Sequence, residues 1–274
     1  MSTPSITQSV SASIAAKLPK GFKSAGIDDD APKFFHCLIY GYTGSFKTVT
    51  AANFGGPDRT LIIGTRDIEQ YKIPLEGKGY RPVVLAHDVD TFKWAVTNPE
   101  AAADAVGFPE WKSRDDRVLV VDDWTEGALM LVEDNEVNDE GKEVKDGRKI
   151  YGAVNEEVRA ILNALKRRRM HIIFTALVNE DDWSIYPAMS KGTAKYIEAA
   201  FDYVFYLDKE TKKMRTEPFS VPYVAKDQFG KDTTRLRKGF GKHKVRREDS
   251  GKLINKEEEM DLGKLWSKVC GGTR

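Results

Sequence analysis

FFHCLIYGYTGSFKT, residues 34–48, is the stretch on which the fold turns. Its first eight residues form a short apolar run ending at Gly41, the pattern of a buried strand. From there Gly41-Tyr42-Thr43-Gly44-Ser45-Phe46-Lys47-Thr48 keeps the spacing GxxxxGK[ST] at Gly41, Lys47 and Thr48. A loop of this form leaves a strand and opens a helix. Its backbone N–H groups surround phosphates, its Lys reaches the β and γ phosphates, and its Ser/Thr holds Mg²⁺. All eight residues are therefore candidate contacts for ATP and Mg²⁺. One position departs from the pattern: Phe46 stands where a glycine normally allows close backbone packing. Its ring is expected to point away from the phosphates, with Gly44 supplying part of the lost freedom.

Outward from this loop, TLIIG (60–64), RPVVLA (81–86), RVLVVDD (117–123) and MHIIFTA (170–176) repeat the near-continuous apolar run. Such runs suit a parallel sheet covered on both faces. Helical spacing lies between them, most clearly at 154–168, where Val154, Val158, Ile161, Leu162 and Leu165 share one stripe. Strands alternating with helices predict a doubly wound α/β sheet. In such a sheet ligands sit at the carboxyl ends of the strands. RVLVVDD ends there in two carboxylates, so Asp122 is the candidate to hold Mg²⁺ with Thr48. Asp123 alone also reads as an N-cap for a helix from Trp124. After Phe201, the runs 201–208, 212–218 and 221–227 read as successive antiparallel strands appended to the core.

YGYTGSFKT, LIIGTRDIE, VLVVDDWT, YGAVNEEVRAILNALKRRRMHIIFTALVNE, FDYVFYL and VPYVAKDQFG succeed one another in that order. The series resembles the RecA-like AAA-type ATPases of bacteriophages, the group linked to single-strand annealing and homologous recombination. The resemblance spans roughly 34–230, with a weaker echo at 260–269. It implies a RecA-like P-loop core, ATP hydrolysis, assembly into a ring or filament of identical subunits, and binding of single-stranded DNA. It also implies roles for particular residues. A catalytic Glu lies just after the strand that follows the phosphate loop and its helix, which makes Glu69 the first candidate base, Asp67 the second and Asp123 the third. Thr175 takes the place of a γ-phosphate sensor. Lys226, in AKDQFG, matches a basic residue reaching into a neighbouring subunit's ATP, while Gln228 stands where the group often has Arg.

The 274 residues carry 43 Lys+Arg against 42 Asp+Glu, so a uniformly basic protein is excluded. Near-neutrality hides opposed segments. Residues 133–146 hold seven acids and two lysines, and 231–252 hold nine Lys/Arg and three acids. The basic run is the main candidate for DNA contact, through Arg235, Arg237, Lys238, Lys242, Lys244, Arg246 and Arg247. Gly239 and Gly241 there suggest a flexible segment. The loop 180–195, with Trp183, Tyr186, Lys191 and Lys195, is the second candidate, although Glu180, Asp181 and Asp182 oppose it. Two separated cysteines and four scattered histidines have no metal-ligand spacing. No apolar run approaches the roughly 18 residues needed to span a bilayer, and the Ser/Thr-rich start lacks signal-peptide features. The expected organisation is an N-terminal arm over 1–33, an ATPase core over 34–230, and a basic C-terminal extension with a terminal helix over 231–274. The expected setting is the cytoplasm of a bacterial host, with a phage single-strand-binding or recombination protein as a further partner. Phe46 and the open choice of base also leave room for a non-hydrolysing, nucleotide-gated DNA-binding or assembly protein. A small-molecule kinase is disfavoured, because no acceptor lid is recognisable.

Overall fold

The computed structural model describes residues 34–137, 141–181, 184–189, 191–226, 231–242 and 255–269. The expected arm over 1–33, Trp183, Gln228, Lys244, Arg246 and Arg247 lie outside them.

Among the described residues, eleven strands join one sheet. Its central path runs β11 (Glu257–Glu259), β8 (Lys213–Arg215), β7 (Tyr203–Asp208), β1 (His36–Gly41), β5 (His171–Glu180), β4 (Val118–Asp122), β2 (Thr60–Gly64), β3 (Val84–Leu85). From β7 to β3 every pair is parallel. The chain is thus a mixed α/β protein with a mostly parallel central sheet. The alternation of side chains along each strand explains the continuous apolar runs. In β1, Leu38 and Tyr40 enter one core and Cys37 and Ile39 the other, all fully buried.

One face is covered by α3 (Val89–Thr97), α4 (Pro99–Ala105), α5 (Trp124–Asn135), α6 (Gly147–Lys166) and α7 (Lys191–Ala200). The other is covered by α1 (Lys47–Gly55), α2 (Glu69–Leu75) and α8 (Leu262–Val269). The stripe expected at 154–168 is the inner face of α6, which starts about two turns earlier. There Asp146 caps it by accepting from the Arg148 amide at 3.0 Å.

Expectations about the second half change. The run 201–208 is not an appended antiparallel strand. It is β7, parallel to β1, because α7 crosses the sheet and returns the chain in the same direction. The run 221–227 does not pair with its predecessor: β9 (Phe219–Lys226) pairs antiparallel with β10 (Asp232–Gly239), drawn from the basic segment. The boundary expected at 230 lies outside the described residues, between two strands that pair with each other. Beyond it, β11 extends the central sheet by pairing with β8, and Leu262, Leu265 and Trp266 of α8 bury against α1. Gly239 serves close packing in this hairpin rather than flexibility. A Cβ there would overlap the Phe219 ring.

Candidate functional site

The ends of β1, β2, β4 and β5 meet at one edge of the sheet. Gly64 is in register with Asp122, Gly41 with Leu177, and Ile39 with Thr175. The phosphate loop leaves β1 here. A Cβ at Gly41 would sit 2.7 Å from the Leu207 carbonyl oxygen, so only glycine lets the loop pass the end of β7. Phe46 takes the left-handed conformation that glycine usually serves, with φ 65°, and its ring is 51% exposed, turned outward. That conformation costs an L-residue about 1–2 kcal/mol. The loop closes by a Ser45 amide bond to the Tyr42 carbonyl at 3.1 Å, and α1 begins with Thr50 bonding back to Phe46.

Lys47 lies beneath the loop, 7% exposed, donating to the carbonyls of Gly41 at 2.8 Å and Tyr42 at 3.0 Å. Burial pulls its ammonium down to about 8, against the opposing pull of Asp123 and Asp122. The Thr48 hydroxyl donates to Asp122 Oδ2 at 2.6 Å, and the Thr175 hydroxyl donates to Asp122 Oδ1. The structure thus brings Lys47, Thr48, Asp122 and Thr175 together. Asp122 is 4% exposed, and the Tyr71 hydroxyl donates to its backbone carbonyl.

Asp123 is fully buried. It caps α5 by accepting from the Thr125 amide at 2.7 Å and forms an ion pair with Arg66. Burial, with Asp122 adding to it, pushes its carboxyl up to about 6 despite Arg66 and the Thr125 N–H. Beside the loop opens a cleft of about 660 Å³ whose walls include Thr43, Thr65, Arg66, Asp67, His87 and Glu126. Glu69 is not on that wall. Its side chain is 71% exposed and pairs with Lys72 at 2.6 Å on the outer side of α2. Among the described carboxylates the cleft itself is faced by Asp67 and Glu126.

The remaining candidates are on the β9–β10 hairpin and its base. Lys226 is exposed and ion-pairs with Asp232 across the hairpin. Arg235, Arg237 and Lys238 lie on β10. Arg237 pairs with Glu180 at 2.7 Å and stacks over Tyr223, its guanidinium carbon 4.0 Å from the ring centre. Glu180 also accepts from the Tyr42 hydroxyl at 2.5 Å. Lys242 is occupied differently: it donates to the carbonyls of Phe201 at 2.8 Å and Ala199 at 3.3 Å, closing the end of α7.

Sequence reasoning missed Arg66, Glu126 and Tyr71. Arg66 had one available signal, its place two residues past the end of a strand on the ligand-bearing edge. Tyr71 had none, since its role depends on α2 lying back over Gly64, where a Cβ would meet the phenol at 2.6 Å.

The residues present fit a nucleoside triphosphate with Mg²⁺. The Ser45 hydroxyl is buried without a hydrogen-bond partner among the described residues, and the Lys47 ammonium has only loop carbonyls. Thr48 and Asp122 are hard oxygen donors of the kind Mg²⁺ takes.

A buried strand, a phosphate loop with its lysine, and a strand-end carboxylate bonded to the loop threonine define a P-loop nucleotide-binding protein. Comparison with known families narrows this: the model for the AAA domain matches residues 33–242, and the chain belongs to that family. Among solved structures, it is similar to an ATPase of the type III secretion system of pathogenic bacteria. The identity is 15%, with 64% of this chain and 51% of that one covered and a TM-score of 0.45. It is also similar to a KaiC-like protein from the hyperthermophilic archaeon Pyrococcus horikoshii, at 16% identity, 74% and 78% coverage and a TM-score of 0.35. The chain spans about half the length of the first. No curated protein matches. No helix among the described residues is long and apolar enough to cross a membrane.

Proposed function

We propose that this AAA-family protein hydrolyses ATP with Mg²⁺ as a RecA-like motor of the phage recombination or replication type, and that it acts on single-stranded DNA as a homo-oligomer. The observation that carries the DNA part is the polar chain Tyr42–Glu180–Arg237. It joins the phosphate loop directly to the hairpin bearing Arg235, Arg237 and Lys238. The Tyr40 hydroxyl adds a second tie, donating to the Phe240 carbonyl at 2.6 Å and accepting from the Phe240 amide at 3.0 Å.

In this reading Thr48 and Asp122 would hold Mg²⁺, which would supply positive charge to neutralise the phosphates. Lys47 gives up its loop carbonyls for phosphate oxygens. Thr175 keeps Asp122 oriented. The water is oriented by a carboxylate of the cleft wall, Asp67 or Glu126. Lys226, exposed at the hairpin end, is the candidate to act on a neighbouring subunit's nucleotide. Partners are single-stranded DNA, further copies of the chain and a phage single-strand-binding or recombination protein, in the host cytoplasm.

The test is the ATP turnover rate with and without single-stranded DNA, alongside the mass of the assembly. Turnover that rises with DNA, in an oligomer, supports the reading. Turnover indifferent to DNA removes the DNA part. The left-handed Phe46 and the outward Glu69 favour one rival, a non-hydrolysing nucleotide-gated DNA-binding protein, which binds ATP but shows no multiple turnover.

A further inference from the structure

Two cations border the Asp122–Asp123 pair. Lys47 comes from beneath the phosphate loop. Arg66 comes two residues past the end of β2, whose Gly64 is in register with Asp122. The two consecutive carboxylates hold different partners besides Thr175 and the Thr125 amide. Asp122 takes the Thr48 hydroxyl and Asp123 takes the Arg66 guanidinium. Thr48 and Arg66 therefore bond to neighbouring residues at the end of one strand, and Arg66 shares its cleft with Thr43 of the phosphate loop.

The guanidinium has five N–H donors in a fixed fork. Asp123 occupies one edge, and Gln70 Oε1 lies at 3.4 Å from Nη1, a weak contact. The residue is 24% exposed and lines the same cleft as Thr43 of the phosphate loop. It is thus anchored by a wholly buried carboxylate while its remaining donors are available at a polar cleft of about 660 Å³. Lys209 also lies near the loop, its ammonium 3.3 Å from where a Gly44 Cβ would stand. It sits on the exposed β7–β8 turn without such an anchor. A planar, anchored guanidinium suits bidentate recognition of a phosphate better than a free ammonium does.

We propose that Arg66 is a second phosphate-binding cation of this site, supplied in cis, and that it contacts the terminal phosphate of a bound nucleoside triphosphate. The inference rests on the nucleotide-site reading above and adds a specificity that the loop lysine lacks. Lys47 serves any nucleotide with a β phosphate, whereas Arg66 serves only one with a γ phosphate. Its bond to Asp123 sets the direction of the fork, so Asp123 is a positioning residue for it.

The experiment measures equilibrium binding of ADP and of the non-hydrolysable β,γ-imido analogue of ATP, both with Mg²⁺, to the full chain. The variants are Arg66→Ala, Arg66→Lys, and Arg66→Ala combined with Asp123→Asn, which leaves no unpaired buried charge. The expected result is a loss of about tenfold or more in affinity for the analogue, with ADP affinity held within about twofold, since bonds to charged groups are worth this much. Arg66→Lys should recover part of the loss, and the double variant should show the same selective loss with a thermal midpoint near the parent's. Equal weakening of both ligands assigns Arg66 a purely structural role and overturns the inference. So does unchanged preference for the analogue. A parent protein that binds neither nucleotide overturns the nucleotide-site reading and this inference with it.

Discussion

Trp266→Ala is the perturbation that most directly tests whether the C-terminal segment belongs to the core. The indole is 4% exposed, and its centre lies 5.1 Å from Phe35, 5.8 Å from His171 and 6.2 Å from Tyr203. Phe35 in turn stacks on Phe54 at the end of α1, 5.1 Å away. Removing a buried Trp side chain costs about 3–5 kcal/mol, the transfer term plus the cavity left behind. Against a total stability of about 5–15 kcal/mol that is a large fraction. At about 2–4 °C per kcal/mol for a chain of this size class, the thermal midpoint should fall by about 6–20 °C. Trp94→Ala is the control: at 44% exposure on α3 it should move the midpoint by only a few degrees. The assay is thermal unfolding followed by far-UV circular dichroism, with urea unfolding as a second measure. The indole packs on Phe35 and His171, which meet Phe54 near the end of α1 remote from Lys47, so nucleotide affinity well below the midpoint should match the parent's. A Trp266→Ala midpoint no lower than that of Trp94→Ala would refute the reasoning. It would mean that α8 contributes nothing to global stability.

Other substitutions separate the parts of the site. Lys47→Ala should lower ATP turnover by about 10²–10³, as loss of a preorganised charge at a transferring phosphate does, and parent-like turnover would show the loop assignment to be wrong. Asp122→Asn keeps its shape but loses the charge that Thr48 and Thr175 donate to. Dependence on Mg²⁺ should shift to higher concentration, measured as turnover against added metal. Glu180→Gln removes the ionic partner of Arg237 and weakens the Tyr42 bond. Both groups are partly exposed, so the loss is about 1 kcal/mol, and stimulation by single-stranded DNA should fall about fivefold with the DNA-free rate unchanged. An unaltered stimulation ratio would remove the chain Tyr42–Glu180–Arg237 from the coupling. Gly239→Val should unfold the hairpin locally, since its Cβ overlaps the Phe219 ring, and should appear as faster amide exchange across β9 and β10.

What was legible in the sequence is what local chemistry forces into contiguous residues. The phosphate loop had to be one segment, and Asp122 had to end an apolar strand, so both could be named before their 2.6 Å contact through Thr48 was known. The stripe of α6 was visible because one face repeats over four turns. Its first turns were hidden, since Gly147 and Gly152 break the apolar pattern there. Strand partnership was the main illegible quantity. β7 and the hairpin strands have ordinary strand sequences, and only the crossover through α7 and the β9–β10 register decide their neighbours. Single residues that act at a distance left no trace either. Lys242 looked like a member of a basic run because helix ends that need closing are not visible in composition. Glu69 was named from its place in the order of elements. Whether a residue at the start of α2 faces the cleft depends on how that helix is rotated, and here Glu69 faces Lys72.

Under the proposed reading, the bonds of Tyr42 couple nucleotide and hairpin. Tyr42 is held at both ends: its carbonyl accepts from Lys47 and its hydroxyl donates to Glu180. Glu180 is shared with Arg237, whose guanidinium is already committed to the Tyr223 ring. A phosphate that draws Lys47 away removes one of the two constraints on Tyr42. Any displacement of Tyr42 then changes the competition for Glu180. Binding free energies couple reciprocally, so a polyanion that draws Arg237 off Glu180 must alter the affinity of the loop for phosphate by the same factor. The chain needs no long-range wire, because three side chains span the whole distance from the phosphate loop to the hairpin.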